Sequence, residues 1–278
     1  MDNSLTEIID TKYHVSELKQ VLDSIEVLLS KEVLNNLKPD KDYPNLLFYM
    51  LGKCLVNCRE IVLLCANGLP EGALALSRNV YEQYMTLGFF VLKRGENNFE
   101  DYVEDYFTDY DLKMNKAFRW EAERITQSVT DLAAVDARQV SINQRKHEKK
   151  AKGDYWWTGG SSFRDLVVAI IDHERDESYK NYIAKLHVIY LRACAAVHAG
   201  VFGNVNRLGT EQGFVGIDNS AKKAGQEYPL FLMAGSMIAI VGTVFSEFGI
   251  DANEIISKLN DLAFTYIDLL PKKVTHNS

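Results

Sequence analysis

Arg192 and His198 stand six residues apart in the apolar run Tyr190-Leu-Arg-Ala-Cys-Ala-Ala-Val-His198. A permanent cation and a group that titrates near neutral pH are the smallest set able to do metal-free acid/base chemistry on a phosphodiester. One holds negative charge and the other moves protons. Arg78 and Glu82 lie one turn apart in a second apolar run, GALALSRNVYEQYMTLGFF. If the two runs pack together, Glu82 can accept from Arg192 or from His198, with Arg78 and Glu82 orienting the pair. The same four residues also have a purely structural reading: a buried arginine satisfied by a carboxylate, and a histidine at a helix end.

Cleavage of RNA by its own 2′-hydroxyl needs a base, an acid and a donor set for the phosphorane oxygens. His198 supplies one proton-transfer group, and Arg192 can hold two non-bridging oxygens. A single pair is incomplete, so the enzymatic reading predicts a homodimer in which two copies face one cleft across a two-fold axis. No cofactor and no metal is expected in that scheme.

The elements that must position these residues are helical. Proline occurs five times in 278 residues, and apolar residues recur at helical spacing over long stretches. The expected fold is all-α: an up-and-down bundle of about seven to nine helices, forming a single domain over residues 1–278. Gly68-Leu-Pro70 separates two helices, with Pro70 in a first turn. Residues 97–151 read as one long, peripheral middle helix with a break near residues 126–130. Ser162 followed by Asp165 matches a capping box. Residues 202–225 form a loop or hairpin insertion, with a short strand at Phe214-Val-Gly-Ile217.

A net charge of -7 excludes general attraction to nucleic acid, so any RNA contact must be local. One local candidate is the basic run 145–152. Asp101, Asp105 and Asp109 recur at i, i+4 and i+8, but the Glu-x-x-His pairs of a di-metal bundle are missing, so a solvated acidic face is expected. Cys54, Cys58 and Cys65 share one helix and read as reduced core thiols. The first residues show neither a basic leader nor an apolar signal core, so a cytoplasmic location is expected. Residues 228–246 are uncharged for nineteen residues; a buried core helix is expected there, not a membrane span.

Three separated motifs carry a resemblance: Arg78-x-x-x-Glu82, Trp157-Thr-Gly-Gly-Ser-Ser-Phe-Arg164, and Tyr190-Leu-Arg followed by Val197-His198. Their order over residues 45–205 resembles an uncharacterised bacterial family of unknown function, which carries no chemistry to transfer. More broadly, the chain resembles the HEPN superfamily, all-α proteins of prokaryotic toxin and antiphage systems. Their ribonucleases carry an Arg, a short spacer and a His in a dimeric, metal-independent site. Arg192 and His198 match with five intervening residues, although Ala193 stands where those motifs usually place a polar residue. The resemblance implies a ribonuclease or RNA-binding effector with an RNA substrate and a protein partner in a defence or toxin system. The alternative is a non-enzymatic interaction or scaffold module whose Arg/Glu/His network is structural.

Overall fold

The computed structural model describes residues 3–33, 42–124, 132–148, 155–158, 162–197, 208–211, 214–217 and 225–270. The fold is all-α, with ten α-helices among the described residues. They are α1 (Asn3–Tyr13), α2 (Val15–Leu28), α3 (Tyr43–Ala66), α4 (Pro70–Lys93), α5 (Phe99–Arg124), α6 (Leu132–Glu148), α7 (Phe163–His173), α8 (Glu177–Val197), α9 (Glu227–Glu247) and α10 (Asn253–Leu269). A π turn, Leu29–Val33, extends α2, and a 3-10 turn, Trp156–Thr158, precedes α7. The insertion contains an antiparallel hairpin, β1 (Leu208–Glu211) with β2 (Phe214–Ile217), in the register Leu208↔Ile217 and Glu211↔Phe214. The strand expected at Phe214–Ile217 is therefore present.

The chain divides into two compact units, the first formed by Met1–Leu37, Leu47–Tyr84 and Arg175–Ser278, the second by Lys38–Leu46 and Met85–Glu174. In the first unit α9 is the central element, packing on α8 and α10, while α10 packs on α2. Gly235 sets the α8–α9 approach: a Cβ there would lie 2.5 Å from Tyr182 Oη and 2.8 Å from Leu186 Cδ2. Among the described residues α9 is the helix long and apolar enough to cross a membrane, with mean hydropathy 1.8, and 72% of that stretch is buried inside the chain. Its Ser236 hydroxyl donates to Leu232 O at 2.7 Å, so no polar atom is stranded there. Gly68 ends α3 with φ 71°; its N–H donates to Cys65 O and that of Leu69 to Leu64 O, the paired bonds of a Schellman cap.

In the second unit the long helical stretch is a hairpin, not one helix. α5 ends at Arg124 and α6 begins at Leu132, and the two helices pack together; the break expected near residues 126–130 lies outside the described residues. Arg119–Asp136 at 2.8 Å and Arg138–Asp111 at 2.6 Å tie them. Trp157 stacks on Phe90 with centroids 5.7 Å apart and meets Tyr106 edge-on at 5.0 Å, so the Trp-Trp turn is a core plug. The solvated acidic face is overturned for two of its three carboxylates. Asp105 and Asp109 are buried, and Asp109 accepts from Trp156 Nε1 at 2.8 Å and pairs with Lys113 at 2.7 Å. A buried indole N–H needs an acceptor, and this carboxylate provides it. Ser162 and Asp165 form the capping box as expected.

Candidate functional site

The site residues lie on α4 and α8, within the first unit. Arg78 and Glu82 meet because residues four apart on a helix share a face. Arg78 Nε donates to Glu82 Oε1 at 2.7 Å, with both side chains about three-quarters buried. That bond raises the Arg78 pKa further above its ordinary value and fixes the guanidinium as a cation. From α8, Tyr190 Oη donates to the same Glu82 oxygen at 3.1 Å. Burial, followed by hydrogen bonding to Cys194 and the Glu82 charge, pushes the Tyr190 phenol up, so it stays a neutral donor.

An aromatic wall supports this triad. The Tyr81 ring lies 4.9 Å from that of Tyr190, and His187 stacks on Tyr190 at 5.6 Å. Tyr81 Oη and His187 Nδ1 are 3.3 Å apart, the direction of that bond depending on the tautomer. Tyr84 Oη and Tyr179 Oη stand 3.4 Å apart one turn further along. Burial raises the phenols of Tyr81, Tyr84 and Tyr182, so these hydroxyls stay neutral.

Arg192 is elsewhere. Two residues along an α-helix are about 200° apart, so a side chain two positions after Tyr190 leaves the face that holds Glu82. Its guanidinium lies over the Tyr228 ring, 5.2 Å from the centroid, at the start of α9. Both line an open groove of about 620 Å³ together with Asn181, Lys185, Val188 and Leu270. Arg192 is exposed, and no carboxylate pairs with it or with Lys185 among the described residues. His198 lies outside the described residues, as does much of the basic run at 145–152.

Of the four predicted residues, then, Arg78 and Glu82 are brought together, and Arg192 sits on another face of α8. Tyr190, Tyr81 and His187 are the partners that sequence reasoning missed. Their signal was spacing: Tyr81 adjoins Glu82, while His187, Tyr190 and Cys194 fall at i, i+3 and i+7 along α8. The cysteines are free thiols. Burial pushes Cys54 up to about 12 and Cys58 and Cys65 also upward, which keeps them protonated. No group of three or more His, Cys, Asp or Glu side chains placed to hold a metal occurs among the described residues.

Comparison with curated proteins and with solved structures finds no significant match. A family profile does match, over residues 45–215, which contain Arg78, Glu82, the Trp157 turn and the Arg192–His198 segment. The chain belongs to that family, DUF5677, a family of unknown function.

Proposed function

We propose that this chain is a HEPN-like, metal-independent RNA-cleaving or RNA-binding effector of bacterial antiphage defence or of a toxin system, acting as a cytoplasmic homodimer. Arg192 holds phosphate and His198 moves the proton. Arg78 and Glu82 are positioning residues that brace α8 through Tyr190. The observation that carries this reading is the state of Arg192. Its charge is exposed, unpaired by any described carboxylate, and held in place over Tyr228 beside Lys185. A guanidinium so placed can take a phosphate bidentately without first breaking an ion pair.

A second reading has its own support. Glu82 is engaged by Arg78 and Tyr190, as a structural network requires, and this favours a non-enzymatic interaction module. One experiment separates the two. His198→Ala and Arg192→Ala are compared with the parent chain for cleavage of labelled single-stranded RNA in the presence of a chelator, alongside thermal unfolding. The first reading expects cleavage by the parent, a loss of about 100-fold or more in His198→Ala, and an unchanged transition. Absence of cleavage by the parent, or full activity in both variants, refutes the catalytic form of the first reading, and absence of RNA binding by the parent in a gel-shift assay refutes the rest.

A further inference from the structure

The exposed side of α8 carries a pattern that the site described above does not use. Ala184, Val188 and Leu191 follow one another at spacings of four and three, and half-buried Ala195 and exposed Asn181 continue the row in both directions. Val188 and Leu191 are 53% and 54% exposed, although apolar residues in this register normally face another helix. The row from Asn181 to Ala195 spans about 21 Å, four turns of helix. Lys185 and Arg192, seven residues apart, flank it on one side and line the groove of about 620 Å³ that Tyr228, Ile189 and Leu270 close. The side chains of Asn181, Lys185 and Arg192 have no hydrogen-bond or ion-pair partner among the described residues.

We propose that this face of α8 is a docking seam for an acidic amphipathic helix of a partner protein. The partner's apolar row lies on Ala184, Val188 and Leu191, and its carboxylates pair with Lys185 and Arg192. Charge selects this occupant. A second copy would set Lys185 against Arg192 in an antiparallel pair, or Lys185 against Lys180 in a parallel one, and each arrangement brings like charges together. The segment Pro271–Ser278 of this chain brings Lys272 and Lys273 and no acidic side chain, so it is mismatched as well. An acidic helix satisfies both cations and covers the apolar row in one event.

Docking would also occupy Arg192, so such a helix would compete with phosphate. This regulatory half rests on the phosphate role proposed for Arg192, while the docking half stands without it.

The test uses the full chain and two synthetic peptides of about three heptads. Both carry Leu at the seam positions, one with Glu and the other with Lys at the flanking positions. Binding is followed by calorimetry, and self-association by light scattering. The Glu peptide is expected to bind and the Lys peptide to bind at least tenfold more weakly. Leu191→Asp is expected to weaken Glu-peptide binding by about tenfold to 100-fold, from loss of one buried leucine. Lys185→Glu combined with Arg192→Glu should reverse the peptide preference, with the melting transition as the folding control.

Equal binding of both peptides, no binding of the Glu peptide, or insensitivity to Leu191→Asp overturns the proposal. So does a parent dimer that Leu191→Asp converts to monomer, since a second copy would then own the seam. RNA cleavage is measured in parallel. Peptide binding without RNA cleavage by the parent would sink the catalytic reading and leave docking intact. His198-dependent cleavage without peptide binding would do the reverse.

Discussion

Gly235→Ala puts the α8–α9 contact to a quantitative test. The added Cβ would stand 2.5 Å from Tyr182 Oη, 2.8 Å from Leu186 Cδ2 and 3.2 Å from Tyr182 Cζ. Comfortable non-bonded contacts lie near 3.5–4.0 Å, so about 1 Å must be found by moving two side chains on a neighbouring helix. Inserting a methyl into a packed site of this kind costs about 1–3 kcal/mol. Replacing a mid-helix glycine by alanine returns about 1 kcal/mol of helix propensity. The net expectation is a loss of up to about 2 kcal/mol. Tyr182→Phe removes the nearest offender. It also deletes a buried hydroxyl that has no hydrogen-bond partner among the described residues. That change alone should be neutral or mildly stabilising. In the Tyr182→Phe background Gly235→Ala should cost about 1 kcal/mol less than in the parent, a coupling that a double-mutant cycle measures. Urea unfolding of the four proteins gives each value. A Gly235→Ala chain more stable than the parent, or a cost identical in both backgrounds, would refute the close approach of these helices.

Two further expectations concern polar contacts. Glu82→Ala leaves Arg78 and the Tyr190 hydroxyl without their shared acceptor and should cost about 1–3 kcal/mol in urea unfolding, whereas Glu82→Gln, which keeps an acceptor for Tyr190, should cost less. Hydrogen bonds from the Ser162 backbone and hydroxyl hold the Asp165 carboxyl below the usual carboxylate range. A depressed folded-state pKa means its contribution is present above the ordinary Asp value and fades as pH falls toward the folded one. Asp165→Ala should therefore flatten the acid limb of a stability-versus-pH curve measured by urea unfolding, and leave its slope near neutrality unchanged.

The features legible in the sequence are those whose partners are close along the chain. Ser162 and Asp165 are three residues apart, Gly68 caps the helix it follows, and β1 and β2 pair across a two-residue gap. Each is decided by local backbone chemistry, so composition and spacing suffice. Asp109 failed because its acceptor role is fixed by Trp156, 47 residues later, which no helical period along α5 can reveal. The brace at Glu82 was half legible. Its Arg78 partner follows from i, i+4 spacing, but the second donor is Tyr190, 108 residues away, on the face of α8 that Arg192 does not share. Placing Arg192 beside Glu82 treated α8 as a point, whereas the helix presents its 190 and 192 positions to different surroundings.

The three thiols sunk in α3 make that helix a clock. Thiolate is the species that alkylating reagents capture, and burial suppresses it at Cys54, Cys58 and Cys65. Modification of these positions must wait for α3 to leave its packing, so its rate reads the opening free energy of that part of the first unit. Cys194, only half-buried and one turn beyond Tyr190, is met earlier. Intact mass against time in a gentle alkylating reagent would therefore separate loosening at the end of α8 from dissolution of the core, with no probe introduced into the chain.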